Sequence, residues 1–542
     1  MLFNSYEFLF VFLPLTLTGF FLLGRVSRAW AIRWIILASL VFYAWWRPLN
    51  VLIIAPSILI NYGLARTLQR MGERGRVRAS RIVLILGIAF NVAFLGYFKY
   101  ANFLVGAVND VFGAGFVLER IILPLGISFI TFQKIAFLVD VQAKRVTTFT
   151  LQDYCLFVLF FPQLIAGPIV HYREMMPQFE VATGKPDREH LSVGVTLILF
   201  GLFKKVVLAD GIAPLVSEIF AGAKAGHAVT LLPAWMAAIG ATLQIYFDFS
   251  GYTDMALGIA RCFGIRFPPN FNSPLKASSI IEFWMRWHMT LTRFLTAYVY
   301  NPLALALTRR RMARGLPGFS GKNTTSGAFL SLLVFPTLVT MFVSGVWHGA
   351  GYLFILWGLL HGVYLAINHA WRLLASRRWP DRARYERIMR PVGWVLTFSS
   401  VTASMILFRA PTVHAAELLL NGMIGGRGVV LPAALYDQLG HLPAWVQSAD
   451  STQVLGNAVD FKHLLRVLLA SGGIAIACPN TLQLLSRYEP ALGFRTGWTI
   501  PGFGGRSVQW RPTLVWALLM SLVAVVSVLH LGGKSEFLYW QF

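Results

Sequence analysis

The sequence predicts an all-α polytopic membrane protein, and three observations predict it. Apolar residues dominate, charged residues are scarce, and the apolar residues gather in long runs. Of 542 residues 56% are hydrophobic and 13% charged, against roughly 25% charged in a soluble domain. The runs include Phe8–Leu23, Ile35–Trp46, Ile82–Phe98, Leu191–Phe203 and Leu514–Val528. Several approach the ~20 residues that cross a bilayer as a helix. Hydrocarbon offers the backbone no hydrogen-bond partner, so such runs are expected to be helical. Transmembrane strands would alternate apolar and polar residues, and these runs do not.

Taken in order, Tyr6–Gly24 is expected to be a retained helix, because its first basic residue, Arg25, follows the apolar run instead of preceding it. Basic residues of membrane proteins collect in cytoplasmic loops. Arg25, Arg28 and Arg33 therefore mark one cytoplasmic loop and Arg66–Arg81 the next, with two helices between them. Arg309–Arg311 with Arg314, and the stretch Arg372–Arg390, mark two more. Between these lie Ala328–Met341 and Tyr352–Trp371, again a helix pair. Pro411–Asp460 has little apolar run and holds Glu417, Asp437, Asp450 and Asp460 against Arg427, so it is placed as an outer loop. The basic Arg487–Arg511 loop is cytoplasmic again, and one last helix follows.

Counting runs gives about 11–13 transmembrane or re-entrant helices. Pro124-Leu-Gly126, Pro162 and Ala166-Gly-Pro168 interrupt apolar sequence. Irregular backbone at membrane depth is tolerated only inside protein or beside a cavity. The expected division is membrane helices over 1–119, a functional core over 120–371, and further helices over 372–542 with the outer loop near 411–460. No fixed-period repeat or inverted duplication is visible. The net charge of +24 is assigned to membrane orientation and not to nucleic acid, since no aromatic-basic reading surface appears. Cys155, Cys262 and Cys478 are far apart, form no CxxC, and are odd in number, which argues against a disulfide framework.

Three clusters carry chemistry. Asp248 and Asp254 lie in the uncharged stretch from Trp235 to Ala260, with Ser250-Gly251 suggesting a break between them. They line a polar part of the core or, the preferred reading, are structural carboxylates satisfied by hydrogen bonds. In Glu282–Arg293, the residues Trp284, Trp287, His288 and Leu291 fall on one helical stripe, and Glu282 and Arg286 form an i, i+4 pair. That pattern reads as an interfacial helix near the cytoplasmic face. In Ser344-Gly-Val-Trp347-His348-Gly349-Ala-Gly351, His348 is either a core hydrogen bonder or a general base near neutral pH. No metal-ligand spacing includes His348 or His361, so no metal is expected. Nucleophile-elbow and phosphate-loop motifs are absent.

These motifs resemble the membrane-bound O-acyltransferase family, and within it the bacterial exopolysaccharide acetylases. The resemblance is carried by Phe42-Tyr-Ala-Trp-Trp46, Gly96-Tyr-Phe-Lys-Tyr-Ala-Asn102, Leu123–Phe129, Phe161–Pro168, Tyr246–Met255, Phe283-Trp-Met-Arg-Trp-His288, Val346-Trp-His-Gly349 and Ser535–Phe542. It implies a ring of helices around a central tunnel. His348 becomes the catalytic base, and His288 the second catalytic histidine, on the cytoplasmic approach. Trp347, Trp287, Arg286, Asp248 and Asp254 become the expected substrate-binding residues. It further implies no bound cofactor, an acyl thioester such as acetyl-CoA as donor, and a polysaccharide acceptor. A periplasmic acetyltransferase or esterase-like partner, membrane lipid as solvent and the inner membrane as location also follow. D-alanyl transfer to teichoic acid and a non-catalytic polysaccharide transporter or scaffold are the rivals. The acceptor implied is alginate or a related exopolysaccharide, and one departure weighs against alginate itself more than against the transferase chemistry. After the Arg-Trp-His segment this chain reads Tyr298-Val-Tyr-Asn-Pro-Leu-Ala-Leu-Ala-Leu-Thr-Arg309, without the family's glycine pair and Asn-Arg.

Overall fold

A computed structural model describes residues 1–181, 185–321, 324–379, 381–440, 442–450, 460–497 and 508–533. The chain is almost wholly helical. Among the described residues the strands are one short parallel pair, Val429–Pro432 with Val446–Ala449.

Seven described helices are long and apolar enough to cross a membrane: Glu7–Val26, Leu49–Glu73, Val77–Phe112, Arg188–Lys224, Ser326–His348, Tyr352–Ser376 and Ala383–Arg409. Leu514–Leu529 is apolar but shorter. The expected helix pairs are present. Arg28–Ala44 and Leu49–Glu73 join the first two basic loops, and Ser326–His348 and Tyr352–Arg378 form a hairpin.

The molecule is organised around one helix that is not itself a candidate span. Leu231–Cys262 runs 32 residues, about 48 Å, and nearly all of it is buried. A helix apolar all round belongs in a protein core. Arg188–Lys224 lies along it, and the helices Arg382–Arg409, Val413–Met423 and Phe461–Ala477 pack on its other faces. Helices beyond residue 372 thus complete the core instead of standing apart from it.

Three expectations need correction. The break at Ser250-Gly251 does not occur, since the central helix is continuous through Asp248 and Asp254. Gly251 serves packing. A Cβ there would stand 2.7 Å from the Gly201 carbonyl oxygen, and one at Gly258 would stand 2.5 Å from that of Gly194. Paired glycines let two backbones approach where neither could bear a side chain.

The stripe through Trp284, Trp287, His288 and Leu291 is not one helix. Ile280–Trp284 ends there, Met289–Leu295 begins anew, and His288 between them takes a left-handed φ of 44°. Trp284 and Trp287 are buried, not interfacial. The periodicity assumed regular backbone, whereas bonds to a distant turn bend it: Met289 N–H donates to the Asn270 carbonyl and Asn272 N–H to that of Arg286.

Pro411–Asp460 is not simply an outer loop. Its first part is the helix Val413–Met423, held to the central helix by Trp235 Nε1 donating to the Met423 carbonyl at 3.0 Å. Its apolar face is too short to register as a run. Residues 441 and 451–459 of that segment, 498–507 of the last basic loop, and the Ser535–Phe542 motif fall outside the described residues. The glycine and proline breaks are present as expected. Gly126, at φ 64°, starts Ile127–Gln142, and Phe161–Leu164 is a four-residue turn of helix.

Gly258→Leu is expected to force the two core helices apart and lower stability by about 1–3 kcal/mol. Gly63→Ala, on an exposed helix face with open space around it, is expected to leave stability equal or raised. Thermal unfolding of the purified proteins in one detergent compares them; equal midpoints for Gly258→Leu and the parent would refute the packing role.

Candidate functional site

His348 is the last residue of the Phe335–His348 helix. A helix end leaves carbonyls without partners, and burying them is costly. Here two side chains from the Val77–Phe112 helix satisfy them. The Lys99 ammonium donates to the Trp347 and His348 carbonyls, at 2.5 and 3.1 Å, and Tyr100 Oη donates to the Val346 carbonyl at 2.6 Å. Lys99 Nζ sits at the negative end of the helix dipole, which favours its charged form. Gly349 follows, and the Phe354 ring lies against the position its Cβ would take, so a larger residue there would displace that ring.

His288 reaches the same place from another break. Its Nδ1 is 3.0 Å from Asn270 Oδ1, which also accepts from the Thr290 N–H and hydroxyl. A backbone N–H can only donate, so Oδ1 faces Thr290. An amide oxygen can only accept, so His288 carries its proton on Nδ1. In the neutral ring Nε2 is then the basic nitrogen. The His288 and His348 ring centroids are 6.3 Å apart.

Aromatic rings enclose the pair. Trp347 stacks on Phe132 at 5.2 Å, Trp357 and Phe408 meet His348 edge-on at 5.1 and 5.2 Å, and Phe249 of the central helix meets His288 at 4.8 Å. Both histidines are buried, His348 retaining 4% exposure. Among the described residues, Trp347 Nε1, Trp357 Nε1 and Ser344 Oγ are buried without a hydrogen-bond partner. Buried polar atoms of this kind ask for a ligand or another explanation.

His361 is fixed differently. Trp284 Nε1 can only donate, and it reaches His361 Nδ1 at 3.3 Å. Nε2 of the neutral ring therefore bears the proton and donates to Ser404 Oγ at 2.9 Å, whose own hydroxyl donates to the Val401 carbonyl. Both ring nitrogens are occupied, so His361 supports the wall.

The expected residues thus separate. His288, His348 and Trp347 come together. Trp287 lies behind them, stacked on Phe283 at 5.5 Å. Arg286 is paired to Glu282 at 2.6 Å. Asp248 meets the buried Lys205 at 2.8 Å, which also meets Asp210, and Asp254 meets Lys204 at 2.6 Å. These ion pairs tie the central helix to Arg188–Lys224 and match the structural reading of the two carboxylates. Among the described residues no cluster could hold a metal.

His348 and Lys99 each lie 22 residues from the start of their spans, Ser326 and Val77, so about 33 Å along them. His288 lies beside His348, at the same level of the fold. Sequence reading missed Asn270, Trp357 and Phe408, and it gave no role to Lys99 and Tyr100, which it quoted only within the Gly96–Asn102 motif. The first three become visible only when distant segments meet.

The profile of the membrane-bound O-acyltransferase family matches residues 139–316. The chain is 37% identical over 460 residues to a "Peptidoglycan O-acetyltransferase" of Helicobacter pylori, covering 80% of this chain and 81% of that protein. It is 33% identical over 551 residues to a "Probable alginate O-acetylase" of Pseudomonas putida, covering 100% of both. A "Teichoic acid D-alanyltransferase" of Streptococcus thermophilus is more distant, 28% identical over 298 residues, covering 52% of this chain and 68% of that protein.

Asp248→Leu is expected to cost about 1.5–3 kcal/mol, because it strips one of two carboxylates from the buried Lys205 Nζ and leaves Asp210. Asp248→Leu with Lys205→Leu is expected to recover much of the loss. Chemical denaturation in detergent measures both. A stable but inactive Asp248→Leu protein would instead assign Asp248 to substrate.

Proposed function

The chain belongs to the membrane-bound O-acyltransferase family, and we propose that it moves an acetyl group from a cytoplasmic thioester to hydroxyls of a polymer outside the inner membrane. That it is a multi-pass membrane O-acyltransferase follows from its relatives and its spans. The closeness of His288 and His348, with ring centroids 6.3 Å apart among buried aromatic side chains, supports the rest of the reading.

In this reading the donor, acetyl-CoA or a similar thioester, enters from the basic face and places its carbonyl between the two rings. His348 takes the proton of the acceptor hydroxyl as the oxygen attacks the thioester carbon. The new C–O bond forms, the C–S bond breaks, and the proton passes to the departing thiolate. His288, held by Asn270 with Nε2 as the basic nitrogen, orients the thioester or shares the proton. The partnerless Trp347 and Trp357 N–H groups suit an acyl carbonyl whose charge grows in the transition state. Aromatic walls exclude water, which would otherwise compete with the acceptor. The immediate acceptor is either the polymer or a periplasmic partner that passes the acetyl group on.

D-alanyl transfer would use the same chamber, and the teichoic acid relative keeps it as the second reading. Mild alkaline release separates the two, since acetate supports the first and D-alanine the second.

His348→Ala is expected to lower polymer ester content by at least ~10²-fold at equal protein level, the usual scale of a lost general base. Asn270→Ala is expected to lower turnover about tenfold, with Asn270→Asp, which still accepts from Nδ1, recovering much of it. Ester content that persists in a His288→Ala/His348→Ala protein would favour the transporter or scaffold reading.

A further inference from the structure

Four arginines from four separate stretches of chain meet in one cavity. Arg28 opens Arg28–Ala44, Arg66 lies toward the end of Leu49–Glu73, Arg145 follows Ile127–Gln142, and Arg173 is in the first turn of Tyr172–Val181. With Thr147 and Thr148 they line a space of about 470 Å³, within the usual range for small-molecule sites. Arg28 and Arg66 belong to the first two basic loops, so the cavity opens on the face assigned to the cytoplasm.

Membrane orientation explains arginines on that face but not their convergence. Asp153 and Glu180 also line the cavity, so four positive and two negative groups leave +2. Asp153 is already occupied, accepting from the Thr150 N–H at 3.1 Å and hydroxyl at 2.7 Å. Arg145 is paired to the buried Asp140 at 3.2 Å. Arg66 is preset by Gln69 Oε1 at 2.9 Å and by the Phe149 ring beneath its guanidinium. Gln69 in turn donates to the Thr147 carbonyl at 2.8 Å, which fixes the 146–149 loop beside it. Among the described residues Arg28 and Arg173 have no ion-pair partner, and both are exposed. A preset guanidinium, two uncommitted ones and neighbouring hydroxyls suit a group with several anionic oxygens.

We propose that this cavity binds a phosphate group carried by a small molecule. Guanidinium forks match phosphate oxygens in pairs, and their positive charge persists at any physiological pH. An anionic phospholipid headgroup and a soluble phosphoadenosine share this chemistry. The inference does not depend on acyl transfer, and its test reads binding alone.

The full-length protein in neutral phosphatidylcholine nanodiscs is titrated with adenosine 3′,5′-bisphosphate by calorimetry, with adenosine as control. In a second arm, native mass spectrometry counts phosphatidylglycerol retained from mixed nanodiscs. Arg28→Gln/Arg173→Gln removes two guanidiniums on which no described contact rests, so folding is not at stake. Arg309→Gln/Arg310→Gln alters the same charge on exposed residues outside the cavity. Binding in either arm is expected to weaken about tenfold or more in the first variant, less than about twofold in the second, and with rising salt. The arm that responds names the source, and response in both assigns the site to phosphate itself. Absence of binding in both arms, or equal weakening by both variants, overturns the proposal.

Discussion

Lys99 Nζ, set against the Trp347 and His348 carbonyls, is the interaction on which the histidine site rests. A helix that ends inside an apolar interior exposes carbonyls that neither water nor the next turn can reach. Without a donor there, the Phe335–His348 helix would either extend through Gly349 or leave buried acceptors bare. Lys99 and Tyr100 remove that penalty and set where His348 stands. A cation this deep is costly in isolation, and its bonds to the negative end of a helix offset the cost.

The same logic shapes the opposite wall. His288 occupies a left-handed turn, an uncommon conformation for a residue with a side chain. It is held there because Asn270 engages His288, Thr290 and the Met289 backbone together. The chamber is thus built where two helices are interrupted, and each interruption is satisfied by side chains or backbone from elsewhere in the chain. The two interruptions bring histidines from separate segments to ring centroids 6.3 Å apart. The buried central helix supplies the platform, because its glycine contacts and its Asp248 and Asp254 ion pairs clamp Arg188–Lys224 against it.

Membrane class, the helix pairs between basic loops and the breaks near Gly126 and Pro162 were legible because each is local. Hydropathy, charge and backbone freedom act within a few residues. Reading failed where contact overrides local preference. The Ser250-Gly251 pair looked like a break and is a crossing point. The Trp284–Leu291 stripe looked like a surface helix and is a buried turn. In both, glycine or periodicity was interpreted without the neighbour that gives it meaning.

Chain chemistry alone determined that the polypeptide is helical and membrane-embedded, because the backbone must satisfy itself in hydrocarbon whatever its tertiary arrangement. Motif resemblance singled out His288 and His348. Tertiary structure decided that they lie side by side, that Asn270 leaves the His288 Nε2 as the basic nitrogen, and that Asp248, Asp254 and Arg286 are committed to ion pairs. Proton placement and pairing belong to distances between residues far apart in sequence, and only folding sets those distances.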